Sequence, residues 1–213
     1  MRNKIYIATK TAATTPDEFW RQLETSLHLL RTDYLDLYQF HCVNQCYRPE
    51  DGTGMYECML KAKEQGMIRH IGVTAHKIGI AEECVASGLY ETMQFPFSYL
   101  SSVQELHLVE ACSRQNMGFI AMKGLSGGLI HNSAAAYAFM AQPQFSNVAP
   151  IWGIQKENEL DEFLSYEVCP PQLTKELQEE IAKDREQLSG DFCRGCGYCM
   201  PCPAGIEINN CAR

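Results

Sequence analysis

"LETSLHLLRTDYLDLYQFH", residues 23–41, contains two hydrophobic periods, one after the other. Leu23, Leu27 and Leu30 recur at helical spacing and continue a stripe that begins at Phe19. The run "YLDLYQF" then brings aliphatic and aromatic residues together over a length that is typical of a buried strand. The segment therefore predicts an amphipathic helix, a short turn and a strand.

Helix boundaries can be read on both sides of this segment. Thr15 is a predicted N-cap, with Pro16 at the first helical position and Glu18 three residues after the cap, which is a capping box. Further along, "MYECMLKAKEQG" and "QELHLVEACSRQNMG" have helical character, and each is predicted to end at its glycine, Gly66 and Gly118. These signals predict helices between the apolar runs.

The alternation of apolar run and helix continues through most of the chain. Runs end roughly 20 to 30 residues apart, which leaves room for the crossover helix that parallel strands require. The six runs are "KIYIAT", "YLDLYQF", "IRHIGVT", "ETMQF", "GFIAM" and "NVAPIW". After Glu167 the pattern stops: "CPPQ" breaks the chain, and one charged helix and a Cys-rich segment follow. We therefore expect an α/β domain of about six parallel βα units over residues 1–167 and a separate tail over 168–213.

Composition excludes some classes of function. The net charge of −8, with no basic cluster, is not the footprint of a nucleic-acid-binding protein. The apolar runs are too short to span a bilayer, so no membrane partner is expected. The start "MRNKIYIATKT" lacks the long apolar core of a signal peptide, so we expect a cytoplasmic location.

Four cysteines lie close together in "CRGCGYCMPCP", residues 193–203. Cytosolic thiols stay reduced, so such a cluster predicts a metal site rather than disulfides. Three successive CxxC steps followed by Pro favour an iron–sulfur cubane over zinc, which usually joins two CxxC pairs across a longer loop. Cys193, Cys196 and Cys199 are the predicted ligands of a 4Fe-4S cluster, with Cys202 or Cys211 as the fourth.

The remaining cysteines are scattered through residues 1–169 and most are expected to be small core hydrophobes. They are Cys42, Cys46, Cys58, Cys84, Cys112 and Cys169.

Polar residues stand at the ends of successive predicted strands. Lys10, His41, Thr74, Gln94 and Lys123 close or follow five of the apolar runs. In a parallel barrel the functional groups come from the carboxyl ends of the strands and the loops after them. Several such residues at equivalent ends favour a functional site there.

Six segments, in this order, resemble the aldo/keto reductase family, more narrowly its bacterial branch with a ferredoxin-like tail. They are "KIYIATK", "LETSLHLLRTDYLDLYQFH", "AKEQGMIRHIGVTAH", "MQFPFSYL", "GFIAMKGLSGG" and "IWGIQKENELDEF". The resemblance implies a TIM-type (β/α)₈ barrel, of which this chain would form a part, with a small C-terminal iron–sulfur loop. It also implies reduction of aldehydes and ketones with NADPH or NADH, by a tetrad of Asp, Tyr, Lys and His.

Residue by residue, the resemblance assigns Lys10 as the tetrad Lys and His41 as the tetrad His. The Lys would lower the pKa of the acidic Tyr, and the His would orient the carbonyl. Thr74 and Gln94 match positions that hydrogen-bond the nicotinamide carboxamide.

The other cofactor-binding assignments lie later in the chain. Met122 falls where many members of the family stack an aromatic ring on the nicotinamide, and Lys123 follows it. Gly124–Gly128 would let the backbone approach the cofactor. Gly153 and Lys156 belong to the last turn, which resembles the phosphate-binding end and has Lys156 as its only cation.

In the family, "KIYIATK" is the third barrel strand, so the tetrad Asp and Tyr would precede Met1. Tyr6, Tyr34 and Tyr38 lie outside the family's Tyr motif. We therefore expect impaired catalysis by this chain alone. Three functions remain open: a reductase that acts on a small carbonyl substrate or exchanges electrons with a redox partner protein, a non-catalytic electron-carrier or docking module, and an inactive fragment of a longer reductase.

Overall fold

The computed structural model of the protein describes residues 2–188 and 200–208. Strands and helices alternate along the chain, and one further helix follows. The strands are β1 (Ala8–Thr11), β2 (Leu35–Phe40), β3 (Ile68–Thr74), β4 (Thr92–Pro96), β5 (Gly118–Met122) and β6 (Val148–Pro150). The helices are α1 (Pro16–Leu30), α2 (Met55–Glu64), α3 (Ile78–Ser87), α4 (Val103–Arg114), α5 (Ser133–Met140), α6 (Glu157–Val168) and α7 (Lys175–Leu188).

The strands form one sheet in the order β1-β2-β3-β4-β5-β6, and pairing is parallel from β1 through β4. Sequential order with a helix between successive strands is consistent with part of a TIM-type barrel. The predicted α/β class is confirmed at this level. All six apolar runs overlap a strand, although β1 begins only at Ala8 and β6 is three residues long.

Local signals account for two of the three helix ends predicted from the sequence. The Thr15 side chain accepts a hydrogen bond from the Glu18 N–H at 3.5 Å, as the predicted cap requires. Gly66 has a φ of 74°, in the left-handed region, directly after α2. The prediction that Gly118 caps α4 is wrong. That helix ends at Arg114, Asn116 takes the left-handed conformation at φ 55°, and Gly118 begins β5. Asn tolerates this conformation better than most residues, so glycine was not needed.

The chain divides into two compact units. Unit 1 is Met1–Phe95 with Leu108–Ile120, and unit 2 is Pro96–His107 with Ala121–Arg213. The predicted division at residue 167 stays a prediction.

The core of unit 1 lies between its helices and one face of the sheet. Phe19 of α1 is fully buried, and its ring lies 5.6 Å from that of Tyr38 and 6.4 Å from that of Phe40 on β2. Four of the scattered cysteines are buried, which confirms their predicted core role: Cys46, Cys58, Cys84 and Cys112. Cys42 is half-buried, and Cys169 in unit 2 is exposed.

A charged cluster holds the start of β2. The buried carboxylate of Asp36 accepts a hydrogen bond from the Ile7 N–H at 2.8 Å and pairs with Arg2 at 2.8 Å and Arg69 at 3.1 Å. Both guanidinium groups lie 3.9 Å from the ring centre of Tyr34. Although burial raises the pKa of Asp36, the hydrogen bonds and the two arginines outweigh it, so this pKa is lowered.

An aromatic cluster forms the core of unit 2. The rings of Phe97, Phe139 and Phe145 lie 5.1 to 6.0 Å apart.

Among the described residues, no helix is long and apolar enough to cross a bilayer.

Candidate active site

In unit 1 the strand register brings polar side chains onto one face of the sheet. Lys10 is paired with Gln39, Gln39 with Gly72, and Gly72 with Thr92. Paired residues of a parallel sheet share a face, so these four form one row, which we call the lower row. The Gln39 Nε2 and Thr92 Oγ1 atoms of this row are buried and have no hydrogen-bond partner among the described residues.

Two residues further along each strand lie His41, Thr74 and Gln94, which we call the upper row. Side chains alternate between faces along a strand, so the upper row lies on the same face as the lower row, at the carboxyl ends of the strands. Thr74 and Gln94 are paired in the register, and both are buried. The structure thus places the four site residues predicted in unit 1 on one face of the sheet. They are Lys10, His41, Thr74 and Gln94.

The backbone beyond the strand ends is held by this upper row. The Cys42 N–H donates to the Thr74 Oγ1 at 2.6 Å, and the Val43 N–H donates to the Thr74 carbonyl at 3.0 Å. The Ala75 N–H donates to the Gln94 carbonyl at 3.1 Å. Since the Thr74 hydroxyl accepts from Cys42, its own O–H remains a donor for a second group.

Lys10 and His41 interact electrostatically. Partial desolvation and the positive charge of Lys10 lower the pKa of His41 below 6.5. At neutral pH the imidazole is therefore uncharged and carries one N–H, which can donate a hydrogen bond. A cation beside a neutral imidazole is suited to bind the oxygen of a polarised carbonyl.

A cavity of about 420 Å³ opens next to His41. It lies between the loop after β1 and the loop after β2. Its lining, within this described part of the chain, contains no Asp, Glu, Lys or Arg. The polar groups come from threonines, Asn44, Gln45 and Tyr47. The cavity is therefore polar but close to neutral.

In unit 2 the predicted cofactor residues surround the end of β5. The Met122 carbonyl accepts a hydrogen bond from the Phe97 N–H at 3.0 Å. Residues 123–128, which we call the glycine loop, follow directly, and Lys123 and Ser126 have left-handed φ angles of 59° and 49°. The hydroxyls of Ser126 and Ser98 share a hydrogen bond at 2.7 Å. Non-glycine residues in this conformation cluster at binding sites.

Gly124 has no room for a side chain. A Cβ atom there would lie 2.8 Å from a ring carbon of Trp152, whose indole stacks on the Phe163 ring at 4.9 Å. The glycine loop therefore passes against a fixed aromatic surface, which suits a backbone that closely approaches a planar or phosphorylated ligand.

The turn between β6 and α6 contains Gly153, at φ 75°, and Lys156. The Glu159 carboxylate accepts hydrogen bonds from the Gln155 N–H at 2.8 Å and the Lys156 N–H at 3.2 Å, and these bonds lower its pKa. The exposed Lys156 ammonium lies 3.9 Å from the same carboxylate. An acidic side chain thus already occupies the predicted phosphate-binding end.

The predicted cluster ligands Cys193, Cys196 and Cys199, and the alternative Cys211, lie outside the described residues. Cys202 is half-buried, and its carbonyl accepts a hydrogen bond from the Gly205 N–H at 2.9 Å. Residues 2–188 and 200–208 contain no group of three or more His, Cys, Asp or Glu placed to hold a metal ion. The cluster stays a prediction.

Sequence reasoning missed Gln39, Thr92, Ser98 and Glu159. Ser98 lies in a loop directly after a strand, and this position was a usable signal. Gln39 and Thr92 lie inside predicted strands, where only the register reveals their common face. The capping role of Glu159 was visible as an acidic residue in the first turn of a helix.

Comparison with known proteins agrees with this arrangement. The model of the aldo/keto reductase family matches residues 1–164. The methylglyoxal reductase DkgB of Salmonella typhi is 36% identical over 91 residues, which are 40% of this chain and 33% of that protein. The Escherichia coli O157:H7 protein of the same name is 34% identical over 91 residues. The chain spans about a third of the length of these curated relatives.

Solved structures resemble this one in fold. The aldo-keto reductase AKR11C1 from Bacillus halodurans superimposes with a TM-score of 0.68 at 20% identity, over 86% of this chain and 73% of that one. A protein from Pseudomonas aeruginosa described as an aldo-keto reductase superimposes with a TM-score of 0.63 at 18% identity, over 76% of this chain and 65% of that one. The family model covers most of the chain, and the fold agrees with it, so this chain belongs to the aldo/keto reductase family.

Proposed function

We propose that this chain carries the carbonyl-binding and dinucleotide-binding parts of an NAD(P)H-dependent reductase. The observation that carries the proposal is that Lys10 and His41 lie on the same face of the sheet, at the carboxyl ends of the neighbouring strands β1 and β2. Membership of the family supports it. The bound dinucleotide would supply the hydride for the carbonyl carbon, and the carbonyl oxygen would take up a proton.

The roles of the two residues follow from their charges. His41 would donate its N–H to the carbonyl oxygen, which fixes the orientation of the carbonyl and polarises it. Lys10 would stabilise the negative charge that develops on this oxygen. A proton donor is still required, and the resemblance assigns that role to the tetrad Tyr. We propose that Thr74 and Gln94 bind the nicotinamide carboxamide.

A first experiment measures dinucleotide binding. NADH and NADPH are titrated into the protein, and the change in dinucleotide fluorescence is followed. We expect saturable binding to the 213-residue chain. Gly124→Ala should weaken it, because the new methyl displaces Trp152 from the glycine loop. Gly79→Ala, where a methyl meets nothing within 4 Å, is the matched control. Failure to bind either dinucleotide would overturn the proposal.

A second experiment measures carbonyl-dependent oxidation of NADH or NADPH. We propose that the isolated 213-residue chain turns over no faster than its Lys10→Met variant, because Tyr6, Tyr34 and Tyr38 lie outside the Tyr motif of the family. A rate well above that of the variant would show that the chain supplies its own proton donor and is not impaired.

The proposed substrates are small, uncharged carbonyl compounds of the 2-oxoaldehyde class. The cavity beside His41 is polar and lacks Asp, Glu, Lys and Arg among the described lining residues. The names of the curated relatives support the same class, since they are methylglyoxal reductases. Methylglyoxal and pyruvate are titrated separately into the protein, and the NMR signals of His41 are followed. Methylglyoxal should shift these signals at lower concentration than pyruvate does. The reverse order would exclude the neutral class.

We further propose that the dinucleotide is NADH rather than NADPH. The Glu159 carboxylate already takes the Gln155 and Lys156 N–H groups, and its charge would repel a 2′-phosphate. Glu159→Gln should therefore tighten NADPH binding more than NADH binding. Glu157→Gln removes a neighbouring charge that makes no such hydrogen bond among the described residues, and it serves as the control. Equal effects of Glu159→Gln on both dinucleotides would contradict this preference.

For the tail we propose a 4Fe-4S cluster on Cys193, Cys196 and Cys199, with Cys202 or Cys211 as the fourth ligand. The spacing of the cysteines supports it. Exchange of electrons between a one-electron cluster and a two-electron dinucleotide would need an intermediary or a redox partner protein. Anaerobic purification should give a brown protein containing iron and sulfide, whereas a colourless protein with zinc would refute the cluster. An intact cluster without dinucleotide binding would instead favour an electron-carrier or docking function.

A cytoplasmic location stays part of the proposal.

A further inference from the structure

Helix α7 lies outside the predicted barrel units, yet it makes specific polar contacts within unit 2. The Tyr99 hydroxyl, in the loop after β4, donates a hydrogen bond to the Asp184 carboxylate. The Arg185 Nε donates to the Tyr99 carbonyl at 2.6 Å. Successive residues of α7 thus bind both the side chain and the backbone of one loop residue.

Further contacts fix the helix along its length. The Asn132 side chain, which caps α5, donates to the Glu180 carboxylate at 2.7 Å. Ile181 is 5% exposed, and the Arg185 guanidinium lies 5.5 Å from the Phe139 ring centre. One face of α7 is therefore docked through apolar, polar and cation–π contacts together.

The loop that α7 holds is connected to the glycine loop. Tyr99 is 1% exposed, and it directly follows Ser98. The Ser98 hydroxyl accepts from the Leu100 N–H at 3.1 Å and shares a hydrogen bond with the Ser126 hydroxyl at 2.7 Å. A continuous set of contacts therefore runs from Asp184 through Tyr99 and Ser98 to Ser126.

We propose that α7 positions the glycine loop, with Asp184 and Tyr99 as positioning residues for dinucleotide binding. Neither residue needs to touch the ligand. Asp184 fixes the Tyr99 hydroxyl, Tyr99 fixes Ser98, and Ser98 fixes Ser126 in its left-handed conformation. The part of this inference that concerns the dinucleotide rests on the proposed function, while the positioning of the loop does not.

The variants follow from the geometry. Tyr99→Phe keeps the buried ring and removes only the hydroxyl, and Asp184→Ala removes the carboxylate while keeping a good helix former. If both act through one contact, the double variant should be no worse than either single variant. Glu179→Gln is the matched control, since among the described residues this exposed carboxylate on the same helix has an ion pair with Lys175 alone, at 3.7 Å.

Hydrogen exchange measured by mass spectrometry tests the positioning without any ligand. We expect residues 123–128 to exchange about tenfold faster in Tyr99→Phe and Asp184→Ala, and at the parent rate in Glu179→Gln. Residues 35–40 in unit 1 make none of these contacts, and their exchange should accelerate less than that of residues 123–128. Faster exchange in α7 with no change in residues 123–128 would overturn the inference.

Dinucleotide titration is the second measurement. NADH should bind about threefold to tenfold more weakly to Tyr99→Phe and Asp184→Ala than to the parent and to Glu179→Gln. Unchanged affinity in both variants would overturn the role in binding. If the parent binds no dinucleotide, the proposed function fails, and the exchange result alone decides whether α7 positions the loop.

Discussion

Gly72 lies in the lower row of unit 1, where a single methyl group would overlap its neighbours. A Cβ atom at this position would lie 2.2 Å from the Thr92 Oγ1, 2.9 Å from the Gln39 Cγ and 3.1 Å from a Leu37 methyl. The Thr92 Oγ1 atom would have to move by about 1.2 Å to reach ordinary van der Waals contact at 3.4 Å. Overpacking of this kind costs typically 1–3 kcal/mol, so Gly72→Ala should lower the free energy of unfolding by about 2 kcal/mol.

The cause can be separated from a general intolerance to substitution. The Thr92 Oγ1 is buried without a hydrogen-bond partner among the described residues, so Thr92→Ala removes a group that gains little from its position. In Gly72→Ala/Thr92→Ala the new methyl takes the vacated space. We expect the double variant to recover at least about 1 kcal/mol relative to Gly72→Ala, which is a coupling of the size seen between residues in contact.

Urea unfolding followed by far-UV circular dichroism measures these free energies. Gly79→Ala is the control, because this glycine of α3 has nothing within 4 Å of its Cβ position, and it should stabilise the protein by about 0.5 kcal/mol. The reasoning is refuted if Gly72→Ala unfolds at the parent urea concentration, or if Thr92→Ala restores none of the lost stability.

Three further predictions concern the site and the stability of the fold. In an NMR titration the His41 imidazole should have a midpoint below 6.5 that rises in Lys10→Met, and an unchanged midpoint would exclude the interaction. Asp36→Asn should lower the free energy of unfolding by about 2 kcal/mol at pH 7. Since the pKa of Asp36 is lowered in the folded state, this difference should shrink as the pH falls below about 4. Glu83 forms an exposed ion pair, so Glu83→Gln should change the free energy of unfolding by less than about 1 kcal/mol. Equal losses of unfolding free energy in the two variants would contradict the argument. Thr15→Ala should cost about 1 kcal/mol in the same assay, and an unchanged unfolding midpoint would show that the cap contributes nothing.

Much of the fold was readable from local patterns. The strand in "YLDLYQF" and the helix that precedes it were predicted from two hydrophobic periods, and β2 and α1 confirm both. The one misplaced cap, at Gly118, shows the limit of such rules. A glycine in the right place is a weaker signal than the conformation that Asn116 adopts.

The candidate site was readable only in part. Lys10, His41, Thr74 and Gln94 were visible because polar residues at the ends of parallel strands fall at one edge of the sheet. Their order in two rows, and the place of Gln39 within the lower row, depend on the register of the strands. The 4Fe-4S cluster in the Cys-rich segment stays a prediction that rests on the spacing of its cysteines.

By itself the sequence determined the alternation of strands and helices, the helix ends at Thr15 and Gly66, and the polar residues at the strand ends. All of these depend on neighbours a few positions apart, through hydrophobic period, capping and turn chemistry. Only the tertiary structure decided that Tyr99 meets Asp184, 85 residues away, and that Ser98 meets Ser126. Such pairs join surfaces that come together only when the whole chain packs, and no local pattern encodes them. For the same reason the lowered pKa of His41 depends on the packed fold, because its causes are partial burial first and then the charge of Lys10, which is far away in sequence.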